Sequence, residues 1–138
     1  MANTIDMQGM RYINLFSKIT RVNTRYFFKY NDMLVFGVPK PLLSKSLGKN
    51  SENLRKISGI LKKRIRVVPL PRGIEDAEKF IKAIISPLDF KEIEIKDDEI
   101  IVTAGGANKA ALLGRNKRRL SEMQEIVRNF FKKNFRII

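Results

Sequence analysis

Cysteine and histidine are both absent from this 138-residue chain, and each absence closes a chemistry. Without cysteine there are no disulfides and no thiolate metal sites, which fits a reducing compartment. Without histidine the commonest general base and metal ligand is gone, which argues against hydrolytic and zinc chemistry. Acidic residues are scarce: 14 Asp and Glu stand against 28 Lys and Arg, for a net charge of +14. Long apolar runs are missing too, none approaching the roughly 18 residues of a membrane span. The opening stretch MANTIDMQGMRY has no basic segment followed by a greasy one. No signal peptide and no membrane partner are therefore expected, and the cytoplasm is the expected compartment.

What is present suffices for a core. Hydrophobic residues make up 43% of the chain and charged residues 30%, a soluble composition for one ordinary domain or two small ones. A field as positive as this one draws polyanions, either nucleic acid or an anionic membrane surface. The charge is also segregated. Residues 41–68 carry eight cations against one anion and residues 107–138 nine against two, while residues 73–100 hold nine acids and four bases.

The apolar pattern runs through the same sequence of elements twice. Tyr12, Leu15, Phe16 and Ile19 make one helical stripe. TRYFFKY and MLVFGV then read as strands around a turn at Asn31-Asp32. A short helix, PLLSKSL, is stopped by Gly48, a longer one carries Leu54, Ile57 and Leu61 in phase, and KRIRVVPL reads as a strand with Ile65 and Val67 on one face. In the second half, IEDAEKFIKAII is a helix with Ala77, Phe80, Ile81 and Ile84 on one stripe, ended by Pro87. KEIEIK and EIIVTA are strands turned at Asp97-Asp98, and Gly105-Gly106 precede a short helix, NKAALL. Gly114 stops that helix, the next one bears Leu120, Met123, Val127, Phe130 and Phe131, and FRII closes the chain as a strand. The halves meet near PLPRG, residues 69–73, and a linker so short is expected to fix their relative orientation. Of Tyr26, Phe27, Phe28 and Tyr30, two are expected to face the core. Phe130 and Phe131 are expected to be core residues, and Asp97, Asp98 and Glu99 a solvated turn.

Both basic blocks contain one repeated phrase, LGKNSENL at 47–54 and LGRNKRRL at 113–120. Gly48 and Gly114 each sit between two predicted helices, where glycine can reach positive φ and admit another backbone. Taken singly, each could be no more than a helix C-cap. Taken as a pair with flanking cations, they read as anion-binding bends. Lys49 or Arg115 supplies a charge. Asn50 and Asn116 tolerate left-handed backbone and can cap the next helix, whose first N–H groups suit a phosphate. Lys45, Ser51 and Arg55 surround the first bend. Lys117, Arg118 and Arg119 crowd the second, where cations at a helix start are unfavourable unless an anion answers them.

The element order and the bend between two helices resemble the KH fold in its type II arrangement, whose G-x-x-G loop clamps about four nucleotides of single strand. SLGKNSENLRKISGILKKRIRVV is similar to the first KH unit of NusA-type transcription factors, in which Glu-Asn and an aliphatic residue follow the loop, here Glu52, Asn53 and Leu54. KAALLGRNKRRL is similar to the second unit, and the chain as a whole resembles the archaeal NusA-like proteins. The fourth loop position departs from the family, being Ser51 in one unit and Lys117 in the other.

The resemblance implies an α+β fold of two tandem type II KH domains, 1–71 and 72–138, each α-β-β-α-α-β with a three-stranded mixed sheet covered on one face by helices. It implies a non-enzymatic factor that binds single-stranded RNA, has no cofactor and acts as a monomer. The expected role is in transcription elongation, termination or antitermination with RNA polymerase. The expected RNA contacts are Lys45, Gly48, Lys49, Asn50, Ser51, Arg55, Gly114, Arg115, Asn116, Lys117, Arg118 and Arg119. A ribosomal or ribosome-associated protein is the alternative, because type II KH units occur there as well. A nuclease is disfavoured by the missing His and Cys. The acidic stretch 73–100 could in addition dock on a basic protein.

Overall fold

The computed structural model describes residues 6–138 and divides into two compact units between Leu70 and Pro71. Both are mixed α+β, each with one three-stranded mixed sheet, an arrangement consistent with a KH-like fold.

In the first unit, helix α1 (Met7–Thr20) is started by Asp6, whose carboxylate accepts a hydrogen bond from the Gly9 N–H at 2.7 Å, satisfying one orphan donor of the first turn. Strands β1 (Tyr26–Tyr30) and β2 (Met33–Val38) form an antiparallel hairpin. Asn31 and Asp32 both take positive φ at its tip, as the tight turn that matches strand twist requires. A 3-10 turn (Lys40–Leu42) leads to α2 (Leu43–Leu47), a second 3-10 turn (Lys49–Ser51) to α3 (Glu52–Leu61), and β3 (Arg64–Pro69) returns parallel to β2. The sheet order is β1-β2-β3.

Every residue of β2 is buried. Leu34, Phe36 and Val38 join Tyr12, Phe16 and Ile57 in the helix-side core, where the Phe16 and Phe36 rings stack 4.4 Å apart. The aromatic strand divides differently from the expectation of two and two. Phe27 alone turns to that core, 5.6 Å from Tyr12 and 5.3 Å from Phe36. Tyr26, Phe28 and Tyr30 share the other parity, and so the other sheet face; Tyr30 is buried there.

The second unit repeats the order. A 3-10 turn (Ile74–Asp76) opens α4 (Ala77–Ile85), followed by β4 (Glu92–Ile95), β5 (Glu99–Thr103), α5 (Gly106–Leu113), a 3-10 turn (Arg115–Lys117), α6 (Arg118–Phe131) and β6 (Asn134–Ile137). β4 and β5 pair antiparallel, β5 and β6 parallel. Phe80, Ile81, Ile84, Ile100, Met123, Val127 and Phe135 are buried. Phe130 and Phe131 are half-buried and pack on Phe80, at 4.7 and 6.0 Å between centroids. Ile126 is buried as well, an addition to the expected stripe. Asp97 and Asp98 lie between β4 and β5, where the sequence places a turn. Among the described residues no helix is long and apolar enough to cross a membrane.

Candidate nucleic-acid interface

The two bends are the same backbone made twice. Gly48 has φ 76 and ψ 174, and Gly114 has φ 77 and ψ 172. Two left-handed residues follow in each case: Asn50 (54, 33) and Ser51 (57, 31) in the first, Asn116 (56, 29) and Lys117 (57, 29) in the second. Near ψ 180 at positive φ the map is essentially closed to any residue but glycine. A Cβ on Gly48 would lie 2.9 Å from the Asn53 side chain, and one on Gly114 would lie 2.9 Å from the Arg119 backbone nitrogen.

The preceding helix is held from the same place in both units. Asn53 donates from Nδ2 to the carbonyls of Lys45 and Ser46, at 3.3 and 3.2 Å. Arg119, five residues past its glycine as Asn53 is past Gly48, donates from Nη1 to the Ala111 carbonyl at 2.9 Å. Ala111 corresponds to Lys45. Either side chain thereby serves a carbonyl that the end of a short helix leaves without an intrahelical donor.

Those contacts correct two expectations. Asn50 and Asn116 are left-handed but do not cap the next helix. The capping positions belong to Ser51 and Lys117, and neither side chain makes a capping bond, because each is itself left-handed. Nor are the helix starts rows of bare N–H groups. The Ser51 and Lys117 amides already donate to the Gly48 and Gly114 carbonyls at 3.2 and 3.1 Å. The Glu52 and Arg118 amides donate to Lys49 and Arg115. An anion at either bend therefore depends chiefly on side-chain cations.

Those cations are unequal. At the first bend Lys45, Lys49, Asn50, Ser51 and Arg55 are all exposed, but Glu52 follows at the start of α3. The Arg55 guanidinium donates to the Asn50 carbonyl, so Arg55 braces the bend as well as charging it. At the second bend Arg115, Lys117 and Arg118 are exposed, and α6 has no acid in its first turn. Arg118 lies 4.0 Å from Glu122, one helical turn on, a weak partial answer to its charge. Arg115 and Lys117 have no side-chain partner among the described residues. Arg119 is half-buried and engaged with α5, which makes it a brace more than a free contact.

A groove of about 580 Å³ opens beside the first bend, between α3 and the edge strand β3. Leu54 and Ile65 give it apolar lining, and Arg55, Arg64 and Arg66 line it with charge. Gly59 also lines it, and a Cβ there would meet nothing within 4 Å. Burial, and then the neighbouring Arg64 charge, hold the Arg66 guanidinium below the usual arginine value, while Tyr30 pulls the other way. A crowded, partly desolvated cation of this kind gains from an incoming anion. Arg64, Arg66 and Gly59 line this candidate groove and were not among the residues expected from the sequence. The signal for the two arginines was the alternation of cations along KRIRVV opposite Ile65 and Val67.

No protein-family model matches the chain. A curated protein of Thermoplasma acidophilum described as a probable transcription termination protein NusA is similar over 135 residues at 23% identity, spanning 95% of this chain and 92% of that protein. Among solved structures, the crystal structure of APE1850 is similar with a TM-score of 0.68 at 18% identity, covering 97% of this chain and 99% of that one. The latter likeness is one of fold.

Proposed function

We propose that the chain is a non-enzymatic, NusA-like factor that binds single-stranded RNA through two type II KH units in tandem. It acts in transcription elongation, termination or antitermination by holding nascent RNA, with RNA polymerase as its protein partner. It works in the cytoplasm, as a monomer and without a cofactor. The observation that carries this reading is the duplicated bend, a Gly-only corner followed by two left-handed residues and flanked by exposed cations. The similarity to a probable transcription termination protein NusA supports it.

The physical logic runs from backbone to ligand. Glycine takes a backbone corner closed to other residues and so makes the bend on which a sugar-phosphate strand would lie. Lys49 on one unit and Arg115, Lys117 and Arg118 on the other then neutralise phosphates. Unstacked bases turn into the groove, where Leu54 and Ile65 offer apolar contact and polar edges give limited discrimination. A duplex presents neither free bases nor a backbone that can bend into such a turn.

Competition among single-stranded RNA, single-stranded DNA and duplex RNA of equal length, at two salt concentrations, tests the reading. Single-stranded RNA should win, and neutralising five to eight phosphates predicts a slope of log affinity against log salt of about −4 to −6. Equal affinity for the duplex would reject the proposal. Stable co-sedimentation with ribosomal subunits would favour a ribosome-associated role.

A further inference from the structure

The two units carry the same bend, but the surroundings diverge in opposite directions. In the first bend the four positions 49 to 52 sum to no net charge, since Glu52 offsets Lys49, with Lys45 and Arg55 flanking them, and the bend opens onto the cationic groove. The second bend has Arg115, Lys117 and Arg118 together, and the residues that match the groove's lining differ. Ser58 and Ile65 line the first groove. Their counterparts are Gln124, ten residues past its glycine as Ser58 is past Gly48, and Phe135, second in its strand as Ile65 is in β3. Gln124 Nε2 donates across the gap to the Phe135 carbonyl at 3.2 Å. The counterpart of open Gly59 is exposed Glu125.

We infer that the units divide the work on one RNA: the open groove of the first, between α3 and β3, accepts unstacked bases and sets base preference, while the second bend supplies the salt-sensitive grip on phosphates. This rests on the single-stranded RNA reading and deepens it. The occupant of the groove follows from its chemistry. Apolar Leu54 and Ile65 suit the faces of bases, and Arg55, Arg64 and Arg66 suit the phosphates that join them. In the second unit an exposed acid, Glu125, replaces the open glycine, and Gln124 ties α6 to β6.

Two variants of the full chain separate the roles. Arg115→Gln/Lys117→Gln/Arg118→Gln removes charge and leaves the groove alone. Gly59→Trp fills the groove and leaves all charge in place, at a helix position with room for a side chain; Gly59→Ala is its control. Each is titrated with 12-nucleotide oligo(A), oligo(C) and oligo(U) RNA across a salt series. With each single-strand phosphate contributing about 0.7 to the salt slope, the triple variant should flatten it by about 2 and keep the wild-type order of preference. Gly59→Trp should make the affinities for the three oligomers converge and, by pushing the strand off Arg55, Arg64 and Arg66, flatten the slope by no more than about 2. The division of labour is overturned if the triple variant changes the order of preference, if Gly59→Trp leaves preference untouched, or if the wild type binds all three oligomers equally. A wild type that binds none of them overturns the RNA-binding reading itself.

Discussion

The bends make a sharp prediction about alanine. Gly48→Ala forces a Cβ into a corner of the map that costs about 1–3 kcal/mol for any residue but glycine. It also sets that Cβ 2.9 Å from Asn53 Cγ and Nδ2. Asn53 is not free to retreat, because its amide holds the Lys45 and Ser46 carbonyls, and each such bond is worth about 1 kcal/mol. A loss of about 3 kcal/mol is expected at Gly48. At Gly114 the Cβ meets the Arg119 backbone nitrogen at 2.9 Å, which cannot swing aside as a side chain can, so about 4 kcal/mol is expected. Two other glycines are built-in controls. Gly59 in α3 and Gly106 at the start of α5 have nothing within 4 Å of an added Cβ and no positive φ. Alanine there should stabilise by about 0.5–1 kcal/mol through better helix propensity. Urea unfolding followed by far-ultraviolet circular dichroism gives the four midpoints, fitted with two transitions if the units melt apart. The account of the bend is refuted if Gly114→Ala unfolds within about 0.5 kcal/mol of the wild type, a change ordinary for a surface substitution.

Further predictions follow from particular contacts. Arg119→Ala should free the Ala111 carbonyl and speed amide exchange at Gly114 and Lys117, whereas Arg119→Asn should recover part of that protection, because Asn53 does the same task at the matching place. Phe80→Ala removes a ring 2% exposed and packed on Phe130, and should lower stability by about 3–5 kcal/mol in thermal unfolding. The Asp76 carboxylate accepts the Arg72 N–H at 3.0 Å and lies 3.5 Å from the Arg72 guanidinium. That hydrogen bond, aided by the Arg72 charge, holds its pKa below the usual aspartate value. A depressed folded value means stability present above the unfolded aspartate pKa of about 3.9 and lost as pH falls through the folded one. Asp76→Asn should therefore lower the midpoint slightly near neutrality and flatten the acid limb of the midpoint-against-pH curve, the two proteins converging below the folded pKa.

The order of elements was legible because the apolar period switches cleanly between strand and helix in each half, and because glycines and prolines mark the boundaries. Gly48 and Gly114 were legible as bends for the same reason. What lay beyond the sequence was the use to which polar side chains are put. Arg119 belongs by composition to a phosphate-binding cluster, yet its guanidinium turns back to a helix-end carbonyl. A basic residue carries no mark in the sequence that tells a brace from a contact. Asn50 was expected as a cap because asparagine caps well. The cap position fell one residue later, since two consecutive left-handed residues push the helix start along. The three-to-one division of the aromatic strand, by contrast, was available from parity alone, because Phe27 and Phe28 are adjacent and Lys29 takes the remaining position on the Phe27 face.

The near-identity of the two bends, set against the divergence of their charges, has a physical explanation. Backbone geometry at each bend is fixed from behind, by a glycine whose conformation no other residue shares and by a donor five residues on that ties the preceding helix down. Either an amide or a guanidinium can be that donor, since the acceptor is a lone carbonyl. The donors that tie the turn, Asn53 and Arg119, lie outside the outward positions, 49 to 52 in one unit and 115 to 118 in the other. The charge of those positions can therefore change from a Lys–Glu pair to three cations without moving a dihedral by more than a few degrees. One scaffold can thus carry two different electrostatic surfaces, so a chain made of two such units need not use them for the same task.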